Sequence, residues 1–359
     1  MADLMEVGSR FRIAGKTQSC DPYGTGHIHE TYLLVSREKD RTSRYILQRI
    51  NTRVFRKPES VQDNIHRILA FLKDVPAEGH VFKDLEMIET RSGRLLHNEK
   101  SKGYWRCFRY IEDSITLDRV EHMDQAFEGG RGFGLFASRL TGYNPRRLHI
   151  TIPHFMDMEW RNQQLVYAEF TNPGERLKSA QPELRRIREL SGIPERFIRI
   201  RSALPDRVAH NDAKITNVLF DPGSSRAVGV IDLDTVMTGT LLTDFGDMVR
   251  SFTASGREDA DSPEAFQCRE EIFEGLSAGY SGAVAGFITD VERSNLLLGA
   301  KAVIYMQAVR FLTDFLIGDT YYRTSYPQHN LHRTRNQLGL LDSLLSKEEL
   351  LLGILKRYF

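Results

Sequence analysis

The sequence predicts an α+β protein with a small antiparallel sheet near its N-terminus and a larger, mainly helical C-terminal part. Short β-rich runs joined by charged turns dominate before residue 113. Longer segments with apolar residues at helical spacing dominate after it. The 359 residues exceed what one hydrophobic core usually organises, so we expect two domains, residues 1–113 and residues 114–359.

The N-terminal elements follow from local residue patterns. The β-rich runs TYLLVS and SRYILQRI flank a short charged segment, which is typical of an antiparallel hairpin. The segment KPESVQDNIHRILAFLKDV has apolar residues at helical spacing, and Pro58 suits its first turn. Two further β-rich runs, VFKDLEMIET and YWRCFRYIE, complete a predicted small sheet with one helix.

The C-terminal part is predicted to contain helices around three short strands, at 208–209, 218–220 and 227–231. The apolar segment 296–316 is interrupted by four polar side chains, so we interpret it as an amphipathic helix and not as a membrane span. The predicted helices cover 126–140, 154–170, 182–190, 263–280, 291–316 and 332–345.

The amino-acid composition argues against several classes of function. Lys and Arg total 49 against 48 for Asp and Glu, so no net field favours nucleic acid or an anionic membrane as a partner. The three cysteines are far apart and lack CxxC spacing, which argues against a disulfide framework or structural zinc. The first residues show no secretory signal pattern. We therefore expect a cytoplasmic protein.

A polar loop between two apolar runs carries the strongest functional signal. In the stretch VAHNDAKITNVLFD, eight residues, six of them polar, separate the two apolar runs, whereas tight hairpins need about two to five loop residues. A short apolar run follows and ends at Asp232. Two strands joined by the turn DPGSSR would bring Asp212 and Asn217 near Asp232. Oxygen ligands from Asp and Asn suit Mg²⁺ better than zinc.

This set of side chains meets the needs of phosphoryl transfer. One carboxylate must accept or orient a hydroxyl proton, while an amide and a second carboxylate hold the metal. Asp212 is the candidate base, and Asn217 and Asp232 are the candidate metal ligands. Each residue alone could cap a turn or a helix instead. Their combination at this spacing favours catalysis.

HNDAKITNVLFD and IDLDTVMTGTLLTDFGD resemble the catalytic and metal-binding segments of the aminoglycoside-phosphotransferase group, a branch of the protein-kinase-like fold. The resemblance implies a bilobal kinase-like fold, use of ATP and Mg²⁺, and the roles given above for the three candidate residues. It places His210 at the start of the catalytic loop. It makes Asp244 a buried carboxylate that supports this loop, for which structural and functional roles are equally open.

The segment DPYGTGHIHETYLL is similar to a kinase glycine-rich loop, in which Gly24, Thr25 and Gly26 would bring backbone amides to phosphates. An ordinary glycine-rich turn is the alternative. Kinases carry a phosphate-binding lysine on the next paired strand, but this sequence has Gln48 in that slot. An amide contact between Gln48 and Asn64 is our hypothesis for what replaces the usual ion pair.

The segment YWRCFRYIEDS resembles the connection between the two kinase lobes, where adenine bonds to backbone groups. The resemblance assigns this nucleotide edge to Tyr110, Ile111 and Glu112. A core strand that leads into a loop is the alternative reading of the same residues.

PYGTGHIH, YILQRINT and RFLTDFLIGDTYYRTSYPQHNLHRTRNQL further resemble the N-acetylhexosamine 1-kinases, over nearly the whole chain. This resemblance implies transfer of the ATP γ-phosphate to the anomeric hydroxyl of a small sugar. It assigns sugar contacts to His27, Arg310 and Tyr321. An Arg310–Asp314 pair one helical turn apart and core packing of Tyr321 are the alternatives.

Two other functions are consistent with the sequence. One is a kinase for another small hydroxyl acceptor, such as an aminoglycoside or an amino alcohol. The other is a catalytically silent nucleotide-binding regulator, suggested by the missing lysine. The presence of all three candidate catalytic and metal residues argues against a silent regulator. We expect a monomer that binds ATP and a small sugar.

Overall fold

The computed structural model describes residues 2–24, 28–77, 79–99, 102–172, 174–256 and 266–359. The chain forms two compact units. The first unit contains Met1–Ser114, and two later segments, Arg146–Pro153 and Ile231–Met237, group with it. The second unit consists of Ile115–Pro145, His154–Val230 and Thr238–Phe359.

The first unit is built on an antiparallel sheet of six strands among the described residues. The predicted hairpin and the helix after it are confirmed. The helix at Ala2–Ser9 and the strands at Lys16–Pro22 and His97–Glu99 are absent from the prediction. The elements are α1 Ala2–Ser9, β1 Lys16–Pro22, β2 Glu30–Glu38, β3 Arg41–Arg49, α2 Pro58–Lys73, β4 Met87–Ile88, β5 His97–Glu99 and β6 Gly103–Arg109.

The register of the sheet decides which side chains share a face. Leu47 lies opposite Cys107 in the β3–β6 pair, and both belong to the buried apolar cluster of this unit. Gln48 lies opposite Arg106 in the same pair. Because successive side chains of a strand point to opposite faces, Gln48 and Arg106 share the face away from the apolar cluster.

The second unit is mainly helical, and its short strands include a hairpin in which Val218 pairs with Val230. The remaining elements, in chain order, are α3 Met123–Arg139, α4 Met158–Thr171, α5 Glu175–Ser179, α6 Gln181–Glu189, α7 Gly192–Arg201, β7 Arg207–Ala209, β8 Val218–Phe220, β9 Ala227–Val230, β10 Met237–Gly239, α8 Leu241–Thr253, α9 Glu270–Val284, α10 Asp290–Ser294, α11 Leu296–Leu316, α12 His329–Ser346 and α13 Glu348–Tyr358.

Several boundaries differ from the prediction. The predicted helix 291–316 is two helices, because α10 ends at Ser294 and α11 begins at Leu296, with Asn295 as the cap between them. A capping box between Thr289 and Glu292 starts α10 as a separate short element. The predicted helix 263–280 begins at Glu270 as α9, and residues 257–265 lie outside the described chain. Helices α5, α7, α8 and α13 and strand β10 are absent from the prediction.

Helix α11 is buried around almost its whole circumference, with contacts to α4, α7, α8 and α12. The helix is confirmed, but its predicted amphipathic character is wrong. Because other helices surround α11, its polar side chains Lys301, Gln307 and Asp314 are buried along with its apolar ones. Among the described residues, α11 alone has the length and composition of a membrane span, and 89% of its most apolar window is buried inside the protein.

Candidate active site

The loop after β7 is held by a buried carboxylate. Asp244 Oδ2 accepts a hydrogen bond from the His210 amide at 2.7 Å, and Oδ1 accepts one from the Asn211 amide at 2.7 Å. The fully buried His210 ring makes edge contacts with Phe133 and Phe136 of α3. These contacts hold the backbone that leads into Asp212. They are the contacts that a loop-supporting role for Asp244 requires.

Burial raises the pKa of Asp244 from 3.8 to about 6, although His210 and the two backbone donors oppose this change. A buried carboxylate loses hydration when it ionises, so its protonated form is favoured. The pKa of Asp244 is therefore well above that of an ordinary aspartate.

Asp212 and Asn217 are brought together by the same loop. Asn217 Nδ2 donates hydrogen bonds to the Asp212 carboxylate at 3.1 Å and to the Asp212 carbonyl at 2.9 Å. Lys214 forms an ion pair with the Asp212 carboxylate at 2.8 Å. Burial raises the pKa of Asp212, but the charges of Lys214, His210 and Arg250 outweigh this effect and hold it below its usual value. Asp212 is thus an ionised hydrogen-bond acceptor at neutral pH.

Asp232 belongs to the first compact unit, whereas Asp212 and Asn217 belong to the second. Its backbone is left-handed, with φ 62° and ψ 62°, and its side chain is exposed. This conformation is uncommon for a residue other than glycine, and such strain often marks functional positions.

The donor chemistry of the predicted metal ligands fits Mg²⁺. This ion typically takes one or two protein carboxylates and fills its other positions with water and phosphate oxygens. One amide oxygen and one exposed carboxylate match that pattern. Within the described ranges, no three His, Cys, Asp or Glu side chains group closely enough to hold a metal by themselves.

Two residues after Asp232, a buried ion pair links the same segment to the sheet. Arg106 Nη1 and Nη2 donate to the two carboxylate oxygens of Asp234 at 2.6 and 2.9 Å. His29 Nδ1 accepts a hydrogen bond from the Asn51 amide, so its Nε2 is the protonated nitrogen and donates to Asp234. Burial raises the pKa of Asp234, but Arg106 and His29 hold it well below its usual range.

Gln48 lies beside this ion pair. Its Oε1 accepts a hydrogen bond from Arg106 Nε at 3.0 Å, and its Nε2 donates to Thr31 Oγ1 at 3.0 Å. The predicted contact between Gln48 and Asn64 is therefore wrong. Arg106 is the direct cross-strand neighbour of Gln48, so it takes the hydrogen bond that we assigned to Asn64.

The Asn64 amide has other partners. Its Nδ2 donates to the carbonyls of His149 at 2.8 Å and Val236 at 3.0 Å, and its Oδ1 accepts from the His149 amide at 2.8 Å. Asn64 is fully buried in α2. It therefore ties two later segments of the chain, 146–153 and 231–237, to the first unit.

The described part of the glycine-rich segment lies near the predicted nucleotide edge. Gly24 has a positive φ of 77°, and a Cβ there would meet no atom within 4 Å. The hydroxyl of its neighbour Tyr23 is 3.3 Å from that of Tyr110, and the two rings meet edge to face. The other residues assigned to this segment, Thr25, Gly26 and His27, lie outside the described residues.

Backbone groups at the predicted nucleotide edge already have protein partners. The Tyr110 amide donates to the Arg44 carbonyl at 3.0 Å. The Ile111 carbonyl accepts from Ser114 Oγ at 2.7 Å, and the Glu112 carbonyl accepts from Lys83 Nζ at 2.7 Å. The Glu112 carboxylate also pairs with the Arg44 guanidinium. These contacts hold the segment in place.

Arg310 and Tyr321 meet at one end of α11. The Arg310 guanidinium lies 5.9 Å from the Tyr321 ring centroid and 4.9 Å from that of Phe155. It donates to Gln307 Oε1 at 3.1 Å. The alternative pair between Arg310 and Asp314 is not formed. The Asp314 carboxylate instead accepts hydrogen bonds from the backbone amides of Thr320, Tyr321 and Tyr322.

Three basic side chains, Lys214, Arg106 and Arg161, were not among the predicted site residues. Lys214 lies two residues after the candidate base, and this spacing could have identified it. Arg106 lies between two core residues in YWRCFR, so strand alternation places it on the opposite face of the sheet, but no local pattern shows that this face is buried there. Arg161 is in the apparently unremarkable segment MEWRNQQL, and no local pattern distinguishes it.

A family model described as the phosphotransferase enzyme family matches residues 19–280. Among solved structures, a spectinomycin phosphotransferase has a TM-score of 0.61 and 13% identity, covering 97% of this chain and 98% of that one. A microcompartment-associated aminopropanol kinase has a TM-score of 0.57 and 15% identity, covering 97% and 98%. A choline kinase from Cryptosporidium parvum has a TM-score of 0.57 and 13% identity, covering 98% of both chains.

The predicted fold class, with an antiparallel sheet near the N-terminus and a mainly helical remainder, is confirmed. The family match extends over both the sheet and the polar loop of Asp212. The chain therefore belongs to the phosphotransferase enzyme family and has its kinase-like α+β fold.

Proposed function

We propose that the protein is an ATP-dependent sugar kinase that transfers the γ-phosphate to the anomeric hydroxyl of N-acetylhexosamines such as N-acetylglucosamine or N-acetylgalactosamine. The observation that carries the phosphotransfer is the ionised Asp212 carboxylate, held by Asn217 and Lys214 at the end of β7. The sugar as acceptor rests on the resemblance of the segments around Arg310 and Tyr321.

In this proposal Asp212 accepts a hydrogen bond from the acceptor hydroxyl and takes its proton as the oxygen bonds to the γ-phosphorus, while the bond from that phosphorus to the β–γ bridging oxygen breaks and ADP leaves. Positioning supplies most of the rate enhancement in such reactions, so a weak base suffices if it is correctly oriented. An anomeric hydroxyl is more acidic than an ordinary alcohol. The lowered pKa of Asp212, caused mainly by Lys214 against the opposing effect of burial, is therefore compatible with this role.

We propose Asn217 and Asp232 as the ligands of Mg²⁺. The β8–β9 register supports this assignment, because Val218 pairs with Val230. Asn217 directly precedes the first strand, and the chain toward Asp232 directly follows the second. Both therefore leave the hairpin at the same end. The bound ion would neutralise charge on the phosphate groups.

We propose that ATP contacts the glycine-rich segment, the Gln48 strand and the edge after β6. The solved spectinomycin phosphotransferase is a complex with ADP, which supports nucleotide use. The contact of Tyr23 with Tyr110 supports a shared site within the first unit. The proposed nucleotide-binding residues are Gly24, Thr25, Gly26, Gln48, Tyr110, Ile111 and Glu112.

A product analysis tests the proposed function. The protein is incubated with Mg·ATP and N-acetylglucosamine, N-acetylgalactosamine, unmodified hexoses, choline or an aminoglycoside, and products are followed by phosphorus NMR. We expect a sugar 1-phosphate. The solved structures of aminopropanol and choline kinases favour an amino alcohol as the second candidate acceptor, and phosphorylated choline would select it. ATP binding without any product would select a silent regulator.

Asp212→Asn tests the base separately from the acceptor. We expect turnover to fall by orders of magnitude, because the amide cannot take the hydroxyl proton. Asp221→Asn is the matched control, since Asp221 is a half-buried residue that begins a turn and accepts hydrogen bonds from Gly223 and Ser224. Wild-type turnover in Asp212→Asn would remove this residue from its role. Circular dichroism checks that both variants fold.

A further inference from the structure

Arg161 has a guanidinium that the protein leaves incompletely satisfied. It lies on α4, with its guanidinium carbon 4.8 Å from the Trp160 ring centroid. Its Nη2 makes one long hydrogen bond of 3.4 Å to the Phe155 carbonyl. Its Nε is buried and has no hydrogen-bond partner among the described residues. Buried donors nearly always have a partner, so an unpartnered one requires an explanation.

Arg161 and Arg310 converge on the same residue, Phe155. The Arg310 guanidinium lies 4.9 Å from the Phe155 ring centroid, while Arg161 contacts the Phe155 carbonyl. Burial and the charge of Arg310 lower the pKa of Arg161 to about 10. Two arginines close enough to repel one another are costly unless something else satisfies them.

No acidic side chain of the described chain lies within ion-pair distance of either guanidinium. The nearby acids are engaged elsewhere. Asp157 pairs with His154 at 2.8 Å and caps α4 through the Trp160 amide at 3.0 Å. Asp247 pairs with Arg250 at 2.7 Å. Neither guanidinium therefore has a direct carboxylate partner among the described residues.

Helix α8 links the candidate base to the helix that carries Arg310. Its Asp244 accepts hydrogen bonds from the amides of His210 and Asn211, next to Asp212, and α8 packs against α11. The charge of Arg250, also on α8, acts on both Asp212 and Arg310. All of these residues belong to the second compact unit. An acceptor that contacts both Asp212 and Arg310 would therefore bridge the loop after β7 and helix α11.

We propose that Arg161, together with Arg310, is a specificity site that donates hydrogen bonds to oxygen atoms of an uncharged acceptor and excludes cationic acceptors. The proposal rests on the proposed sugar kinase function. Arg161 Nε would donate to a carbonyl or hydroxyl oxygen of the sugar. An ammonium group in the same place would meet two positive charges, neither of which is paired with a carboxylate.

N-acetylglucosamine and glucosamine provide a matched pair of ligands. They share the ring and its hydroxyl groups, but one carries a neutral acetamide and the other an ammonium at mildly acidic pH. The site should bind the first and reject the second. Choline provides a cation without a sugar ring.

Binding can be measured without turnover, because the chain has two tryptophans and one of them, Trp160, contacts Arg161. The full-length protein is labelled with 5-fluorotryptophan, and Trp160→Phe assigns the two fluorine resonances. Each ligand is then titrated at mildly acidic pH. We expect N-acetylglucosamine to shift the Trp160 resonance saturably, while glucosamine and choline leave it unchanged.

Two substitutions separate the charge of Arg161 from its shape. In Arg161→Gln the preference for N-acetylglucosamine over glucosamine should shrink roughly tenfold, because one of two like charges is gone. Arg161→Lys should keep rejecting glucosamine but bind N-acetylglucosamine more weakly, since it loses the planar donor set. Arg188→Gln is the matched control, because Arg188 is exposed and pairs with Glu169 on α4. It should change neither affinity.

Three outcomes would overturn the specificity site. They are equal binding of glucosamine and N-acetylglucosamine to the wild type, an unchanged preference in folded Arg161→Gln, and no Trp160 shift with any uncharged sugar. If Arg161→Gln does not fold, a loss of glucosamine rejection in Arg161→Lys would also contradict it. Selective binding of the uncharged sugar without phosphorylation by Mg·ATP would keep the site and refute the proposed kinase function.

Discussion

Arg106 and Asp234 form a two-pronged ion pair in which each side chain is only 2% exposed. The pair joins strand β6 to the segment that follows β9, across 128 positions of sequence. The pair lies beside Gln48, and Gln48 occupies the strand position at which kinases of this fold carry a lysine. The positive charge in this part of the sheet is thus on Arg106 of β6. Asp234 balances this charge, in place of a helix glutamate.

Removing one partner of this ion pair should be strongly destabilising. In Arg106→Met the Asp234 carboxylate stays buried without its main counter-charge, and we expect a loss of about 3–5 kcal/mol in the free energy of unfolding. The double variant Arg106→Met/Asp234→Leu should recover much of this loss, because no buried charge remains. Denaturant unfolding of both variants measures the effect. Additive losses would contradict the assigned coupling.

Restoring the kinase lysine should be unfavourable in this chain. Gln48→Lys removes the acceptor of the Arg106 Nε hydrogen bond and places a second cation beside Arg106. We expect a loss of about 1–3 kcal/mol in the free energy of unfolding, measured in denaturant. Gln48→Glu is the charge-reversed control and should be better tolerated. A more stable Gln48→Lys protein would show that Arg106 does not exclude the lysine.

The raised pKa of Asp244 predicts a pH dependence of stability. Its pKa is about 6 in the folded protein and near 3.8 when exposed, so the folded state holds the proton more tightly. This stabilisation is present below about pH 4 and is lost as the pH rises to about 6, amounting to roughly 2–3 kcal/mol.

Unfolding experiments at a series of pH values test this prediction. Asp244→Asn should remove the decline between about pH 4 and 6, whatever its effect on absolute stability. Asp290→Asn, at a side chain that is 96% exposed, should keep the wild-type slope. Asp212 and Asp234 have lowered pKa values and lose their contribution only under more acidic conditions. Parallel wild-type and Asp244→Asn curves would be incompatible with a raised Asp244 pKa.

Asp232→Ala should increase the magnesium requirement of turnover. We expect at least roughly a tenfold rise in the free Mg²⁺ needed for half-maximal rate, because one of few protein ligands is lost. Asn217→Ala should act in the same direction. Rates are measured against free Mg²⁺ at fixed ATP, with Asp221→Ala as the control. A magnesium curve identical to that of the wild type would remove Asp232 from the metal site.

The most predictable parts of the molecule are those in which neighbouring residues interact. Asp212 and Asn217 are five residues apart in one loop, so their contact follows from the local path of the chain. The β2–β3 hairpin and α2 follow from alternation and helical spacing in the same way. The α10–α11 break shows the limit, because a short cap interrupts a pattern that looks continuous.

The sequence by itself determined the fold class, the family and the local loop of Asp212, because periodicity and motif spacing report contacts between residues that are close along the chain. Only the tertiary structure decided the partners of Gln48, Arg106 and Arg161. Such contacts depend on sheet register and on which distant segments pack together. The partner of a buried polar side chain is therefore set by the packing of distant segments and not by its neighbours in the sequence.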